Sequence, residues 1–276
     1  MIPAARIRYT GAMILLDHGG AGRRRSRLVA PGPLGDLVEH VGVQHAGAWA
    51  AAPRAWRVIA DPSPHLIVTY GPGGFRGVVV GSRTRYSDVD TTNRQWLVTA
   101  RLRPGVLPAI TGMPASAFTD RGRPLDEVFG PASVRDAGVF DEPEPSAAAA
   151  GLRRLLARTA RGRAARDARI VRAVLEAVRV GDAAAVSGRS PRRLHQRIVE
   201  LAGMPPRRLR RVERIRRALA LGLRHRGLPW SEAAACAGFA DQPHLVREFR
   251  VLLGVAPSAW WRMGADTFKT LARGVG

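Results

Sequence analysis

The sequence is poor in cysteine and in long hydrophobic runs, and each shortage excludes a class of protein. Its single cysteine, Cys236, rules out an internal disulfide and a zinc site with several thiolate ligands. The Ala-rich stretch around it predicts a packed helix in which this thiol is buried. The longest apolar run near the N-terminus, residues 11–16, is too short for a signal peptide or a membrane span. We therefore expect a cytoplasmic protein without a membrane partner.

Acidic residues are also scarce, mainly in the second half of the chain. The 276 residues include 44 Lys and Arg against 22 Asp and Glu, a net charge of +22. Residues 151–276 hold 27 basic and 9 acidic residues, whereas residues 1–150 hold 17 and 13. This asymmetry favours nucleic acid as the partner of the C-terminal half. A solvated basic face and a membrane-surface helix are the alternatives.

The distribution of apolar runs predicts an α+β protein with two domains. Residues 1–30 show little periodicity and are expected to be a disordered extension. Residues 31–140 alternate strand-length apolar runs with Gly and Pro turns, which predicts an antiparallel β barrel or sandwich. Residues 141–164 open with an acidic, Pro-rich stretch typical of a linker. Residues 165–264 have helical periodicity, and residues 265–276 form a tail.

Within the β domain, the apolar runs predict individual strands and short helices. Strands are predicted at residues 56–59, 66–70, 77–80 and 95–102. A short helix is predicted within residues 34–49, and helical turns at 107–110 and 125–129.

Two short helices share one register in the basic half. Ser190 and Asp241, 51 positions apart, are N-cap residues, and Gly203 and Gly254 end the two helices. The apolar residues at i, i+4 and i+7 predict a buried face on each: Leu194, Ile198 and Leu201, then Leu245, Phe249 and Leu252. Because an Ala-rich helix precedes each one, we predict two helix-turn-helix units whose second helices face outward.

A longer helix is predicted between the two units, over residues 206–223. About 17 residues of helix span roughly 26 Å. A rod of this length could hold two outer helices about one DNA turn apart, or about 34 Å. Both would then enter successive major grooves on the same side of a duplex.

The motifs of both units resemble those of AraC-type transcriptional regulators. Residues 190–195 read Ser-Pro-Arg-Arg-Leu-His, and residues 203–206 read Gly-Met-Pro-Pro. Residues 237–250 read Ala-Gly-Phe-Ala-Asp-Gln-Pro-His-Leu-Val-Arg-Glu-Phe-Arg, followed by Gly-Val-Ala-Pro-Ser-Ala-Trp at 254–260. The resemblance covers about residues 165–264 and implies a bacterial transcription factor that binds double-stranded DNA.

The resemblance also implies which side chains meet DNA. Seven are expected to face bases: Arg192, His195 and Gln196 in the first unit, and Gln242, Pro243, His244 and Arg247 in the second. Four are expected to contact phosphates: Ser190, Arg193, Arg197 and Arg250. Glu248 is expected to pair with a neighbouring arginine, since its carboxylate would be repelled by DNA.

Residues 34–130 resemble, more weakly, the cupin-like domain that precedes this module in some such regulators. The matching stretches are residues 62–67, 98–105 and 125–130. In that family the domain senses a small molecule or mediates dimerisation, and the sequence leaves both open. A small-molecule effector, a second copy of the chain and RNA polymerase are therefore candidate partners besides DNA.

The N-terminal half offers few other sites. His40, His45 and His65 lack the repeated spacing of a metal site, so we expect no metal and no cofactor. Trp49, Trp56, Tyr70 and Trp96 either line an effector pocket or fill the β core. Because no catalytic constellation is recognisable, we expect no enzyme. The remaining alternatives are a non-specific architectural DNA-binding protein and a DNA-acting enzyme with a targeting module.

Overall fold

The computed structural model describes residues 15–17, 25–29, 32–45, 55–90, 94–160, 166–173, 191–225 and 227–260. An antiparallel β domain is followed by a helical domain, as the sequence predicts. The predicted tail at 265–276 and the first Ala-rich helix lie outside the described residues. The cupin-like identity of the β domain stays a prediction.

The β domain is built from two antiparallel sheets. The larger has the strand order β2-β3-β8-β5-β6-β9, and the smaller has the order β1-β4-β7. Every residue of the central strand β8 is buried, including Arg101, and the strand lies within the run predicted at residues 95–102. The strands are β1 (Leu15–Asp17), β2 (Arg25–Val29), β3 (Val38–His45), β4 (Ala55–Val58), β5 (His65–Gly71), β6 (Gly74–Val80), β7 (Ser87–Asp90), β8 (Trp96–Leu102) and β9 (Gly122–Pro124).

Two predictions for the start of this domain are wrong. Residues 38–45 form β3 where a short helix was expected, because this segment pairs with β2 on one side and β8 on the other. Val38 and Val41 are buried there, and β-branched residues suit a paired strand. The extension over residues 1–30 is also not wholly disordered, since β1 pairs with β4 and β2 pairs with β3.

Short helices close the β domain where helical turns were predicted. These are α1 (Leu107–Thr111) and α2 (Leu125–Phe129); α3 (Pro131–Asp136) follows at a position where no helix was predicted. The predicted linker contains a further helix, α4 (Pro145–Thr159), which packs on β3 and β8. Its Leu152, Leu155 and Leu156 are fully buried in the β-domain core, so this stretch is part of that domain rather than a linker. One apolar helix face outweighed the polar opening of the segment.

The helical domain contains both predicted outer helices and the predicted rod. Its helices are α5 (residues 166–173), α6 (Pro191–Ala202), α7 (Pro206–Arg224), α8 (Trp230–Ala237) and α9 (Gln242–Leu253), with a helical turn at 257–260. One apolar cluster joins α6, α7 and α9 through Ile198, Leu209, Ile215 and Phe249. Burying each such side chain contributes about 1.5–3 kcal/mol. Cys236 is exposed on α8, so the expected buried thiol is wrong.

Candidate nucleic-acid interface

The first candidate DNA-contacting helix is α6. Ile198 and Leu201 are buried and Leu194 is half-buried, as the register predicts. The opposite side is exposed at four predicted DNA-contacting positions, which are Arg192, Arg193, His195 and Gln196. Gly203 adopts the left-handed conformation, with a φ of 74°, and ends the helix. Ser190, the predicted cap, lies outside the described residues.

Arg197 differs from the other predicted contacts of α6 because it is bonded within the protein. Its Nη2 donates to Asp167 of α5 at 2.6 Å, and its Nη1 donates to Glu200 at 2.7 Å. Burial lowers the pKa of Arg197, but the two carboxylates outweigh burial and raise it. Its predicted phosphate contact therefore competes with an ion pair that joins α6 to α5.

The second candidate DNA-contacting helix, α9, begins at the predicted cap. Asp241 Oδ1 accepts a hydrogen bond from the His244 backbone N–H at 2.6 Å, which satisfies one of the free donors of the first turn. The exposed residues include four predicted contacts: Gln242, Pro243, Arg247 and Arg250. His244 is half-buried, and its ring packs edge-on against Phe239 at 5.3 Å between centroids.

The buried side of α9 rests on aromatic rings and on α7. Phe249 lies 5.6 Å from Trp230 and 6.0 Å from Trp260, measured between ring centroids, and both pairs meet edge to face. Glu248 forms an ion pair with Nε of Arg211 on α7, which confirms that this carboxylate pairs locally. The exposed polar side of α9 is thereby held in one orientation relative to α7.

Helix α7 joins the two units as a single rod of 19 residues, about 28 Å long. Val212, Ile215 and Leu219 are buried along one side. Arg207 and Arg208 are exposed on its first turn, directly after α6, and extend the basic surface. The sequence reading did not single them out, although two arginines after a helix-starting proline are a recognisable pattern.

Sequence reasoning also missed a buried ion cluster between the domains. Arg101 of β8 donates through Nε to Glu39 at 2.6 Å and through Nη2 to Asp61 at 2.9 Å. Arg216 of α7 approaches the same Asp61 carboxylate, with 3.1 Å between its Nη1 and Oδ2. Burial raises the pKa of Asp61, but Arg101 and Arg216 hold it well below its usual range. No local pattern connects residues so far apart in sequence.

Two of the histidines weighed as metal ligands lie beside this cluster. His65 Nε2 is 3.3 Å from Arg101 Nη1, and burial followed by the charge of Arg101 lowers the pKa of His65 to about 3. The same two causes lower the pKa of His40 to about 4. Both rings are therefore neutral at pH 7. Within the described residues, no group of three or more potential metal ligands is found, and the His45 side chain lies outside them.

The aromatic residues of the β domain pack against one another. Tyr70 stacks on Trp96 at 5.7 Å, and Phe75 lies between Trp96 and Phe140. The Trp96 indole N–H donates to the Pro143 carbonyl at 2.9 Å. Tyr70 and Trp96 thus fill the core, while Trp49 and the Trp56 side chain lie outside the described residues.

Two family models match separate parts of the chain. A family model described as a helix-turn-helix domain matches residues 183–263, and one for a domain of unknown function matches residues 27–124. No curated protein sequence is significantly similar to the chain. No helix within the described ranges is both long enough and apolar enough to cross a bilayer.

Two solved structures are similar at a low level. The crystal structure of ToxT from Vibrio cholerae O395 has 10% identity and a TM-score of 0.40, covering 75% of this chain and 91% of that one. An apo ToxT variant from Vibrio cholerae strain SCE256 has 12% identity and a TM-score of 0.36, covering 81% and 97%. These scores are too low to assign a shared domain arrangement. The matched residues 183–263 thus belong to a helix-turn-helix family, and the motifs of both units resemble those of AraC-type DNA-binding transcription regulators.

Proposed function

We propose that the protein recognises a specific sequence in double-stranded DNA by placing α6 and α9 in successive major grooves. Bases would be read by Arg192, His195 and Gln196 on α6, and by Gln242, Pro243, His244 and Arg247 on α9. The flanking phosphates would be held by Ser190, Arg193, Arg197 and Arg250.

The observation that carries this proposal is the pair of exposed polar helix faces on one rod. Each face lies opposite a buried apolar face, so neither is free to rotate without exposing core residues. The rod of about 28 Å is close to the groove repeat of about 34 Å on one side of B-DNA. A protein that bound any polyanion through one basic helix would not need a second such helix at this separation.

The polar residues on these faces also suit base recognition. Arginine pairs bidentately with guanine, and glutamine with adenine, so each contact discriminates by about 1–3 kcal/mol. The remaining arginines would supply affinity for any sequence, which falls steeply as salt rises. Specific and non-specific binding are therefore expected to reside in different residues of the same helices.

The first test is a selection from random duplex DNA at about 150 mM salt, near physiological ionic strength. The selected duplexes are then footprinted with the bound protein. An enriched sequence with two protected blocks about one turn apart supports the proposal. Binding without enrichment would instead favour the architectural alternative.

Two arginines of α9 provide a matched test of the residue roles. Arg247→Ala is expected to weaken binding to the selected site by about 5- to 150-fold, and binding to random DNA far less. Arg250→Ala, on the same helix, should weaken both and reduce the salt dependence by about one phosphate contact. Gel-shift or anisotropy titrations at several salt concentrations measure both. If Arg247→Ala lowered the affinity for both DNAs equally, Arg247 would contact a phosphate rather than a base.

Control by a small-molecule effector through the β domain, pairing of two copies and contact with RNA polymerase stay predictions. Titrating candidate small molecules into the selected complex tests the first. Sedimentation of the protein alone tests the second.

A further inference from the structure

The segment between β4 and β5 is packed into the helical domain. Ile59 and Ala60 are 2% and 3% exposed, and they belong to the same apolar cluster as the core of α6, α7 and α9. The Ala60 backbone N–H also donates to the Leu252 carbonyl in the last turn of α9, at 3.4 Å. The β domain thus contributes two residues to the core of the DNA-binding domain.

The next residue, Asp61, connects this segment to α7. Asp61, Arg101 and Arg216 are 3%, 2% and 7% exposed, so their charges are almost fully removed from water. A buried charge left without its partner is strongly destabilising. Within the β domain, Glu39 and Asp61 both pair with Arg101, and Arg83 also interacts electrostatically with Asp61. Arg216 of α7 adds a positive charge from the other domain. The buried Asp61 carboxylate is therefore paired with one arginine from each domain.

A third contact holds the end of α6. The Thr119 hydroxyl donates to the Gly203 carbonyl at 2.6 Å. A Cβ at Gly203 would lie 2.6 Å from Thr119 Oγ1, 2.7 Å from Ser82 Oγ and 2.9 Å from the Ala115 carbonyl oxygen. This close approach leaves the last residue of the turn no room to shift toward the β domain.

These contacts matter because α7 alone does not set the direction of α6. Only residues 203–205 separate the end of α6 from the start of α7. A short non-helical connection permits the helix before it to pivot, whereas α9 is tied to α7 by the Glu248–Arg211 ion pair. The β domain is what α6 meets at its pivoting end.

We propose that Asp61, Arg216 and Thr119 are positioning residues. Through them the β domain fixes the distance between the two DNA segments that the protein can bind at the same time. The inference rests on the proposed two-helix function and adds the β domain to the parts that determine DNA specificity. A protein with an intact ion cluster and Thr119–Gly203 contact binds blocks at one spacing. A protein without them binds several spacings.

The test compares full-length variants on duplexes that carry the selected blocks at their original spacing or with one base pair added or removed. Arg216→Met keeps the length and apolar volume of the side chain and leaves the Arg101–Asp61 pair in place. Thr119→Val keeps the shape of the side chain and removes the hydroxyl that donates to Gly203 and, at the longer distance of 3.5 Å, lies beside the Ala115 carbonyl. Arg217→Met is the matched control, because it loses the same charge at the next position of α7.

We expect the natural protein and Arg217→Met to lose about tenfold or more in affinity when the spacing changes by one base pair. For the Arg216→Met/Thr119→Val double variant, the same change in spacing is expected to lower the affinity by about threefold or less. An unchanged spacing penalty in the double variant overturns the inference. Absence of a two-block site for the natural protein instead counts against the proposed function itself.

A second measurement needs no DNA, and it distinguishes a failure of the proposed DNA recognition from a failure of the inferred role of the β domain. The Gly203 amide donates to the Val199 carbonyl at 2.9 Å, and its hydrogen exchange reports the end of α6. In the double variant this exchange should accelerate about tenfold or more, with the amides of α9 unchanged. Exchange as slow as in the natural protein shows that the contacts do not hold α6, and overturns the inference whatever the DNA result. Circular dichroism confirms that each variant is folded.

Discussion

The two helix-turn-helix units share one register but are held by different neighbours. In the second unit, Phe249 packs between Trp230 and Trp260 of the same domain. In the first unit, α6 ends against the β domain, where Thr119 donates to the Gly203 carbonyl. Helix α9 meets the β domain through a longer hydrogen bond, from the Ala60 backbone N–H to the Leu252 carbonyl at 3.4 Å.

This difference shows that two units with the same sequence pattern can pack against different parts of the protein. A cap, an apolar face and a terminal glycine define each helix locally. What those helices pack against is set by the rest of the chain. We infer that the second unit depends mainly on its own core, whereas the first depends in part on the β domain.

The largest expected effect would come from opening the aromatic core of the second unit. Phe249→Ala should lower the free energy of unfolding by about 3–5 kcal/mol, because it removes a fully buried ring and leaves a cavity. Val251→Ala is the control on the same helix, since Val251 is 49% exposed and should cost below about 0.5 kcal/mol. Denaturant titration measures both. In Phe249→Ala, amide hydrogen exchange should become faster in α8 and α9 and stay slow at the end of α6. Equal acceleration in both units would contradict the inference that they are stabilised by different neighbours.

The next largest effect should come from the first unit at Gly203. Gly203→Ala combines the strain of a φ of 74° with contacts of 2.6–2.9 Å to the β domain, and should cost about 3 kcal/mol. Gly238→Ala has a similar φ of 82°, but its nearest neighbour is Arg214 Nε at 3.8 Å, so it should cost about 1 kcal/mol. Thermal unfolding measures the pair. Equal losses of stability in the two variants would mean that the β domain can move away from a side chain at residue 203 at little cost in free energy.

The smallest effect, counted per pH unit, is a pH dependence expected of the β domain. His40 and His65 have pKa values lowered to about 4 and about 3, against 6.5 for the free side chain. Between about pH 6.5 and 4 the unfolded chain binds protons that the folded chain does not, so stability falls as pH falls. The slope should be about 1–3 kcal/mol per pH unit.

Two substitutions check that slope. His65→Gln keeps an acceptor for Arg101 but does not titrate, so it should flatten the dependence. His225→Gln, at an exposed position of the helical domain, should leave it unchanged. Urea titrations at pH 6.5, 5.5 and 4.5 supply the data. A stability that is constant across this range would rule out buried neutral histidines.

Local patterns predicted the helical domain well. The rod expected over residues 206–223 is α7 over Pro206–Arg224, and the outer helix of the second unit begins at its predicted cap, Asp241. In the β domain, the run at 95–102 became β8, Trp96–Leu102. Residues 38–45 were misjudged because the spacing of Val38 and Val41 also fits a helix, and only pairing with β2 and β8 makes the segment a strand.

The sequence by itself determined where the helices of the repeat begin, which of their faces are apolar and that the basic charge lies in the C-terminal half. These properties depend on residues within a few positions of one another, because capping and the helical period act over one or two turns. Only the tertiary structure decided that Asp61 meets Arg101 and Arg216, that Thr119 holds Gly203 and that Arg197 is bonded to Asp167. Each of these contacts joins distant parts of the chain, and its energy comes from burying charges and donors together once both domains have packed.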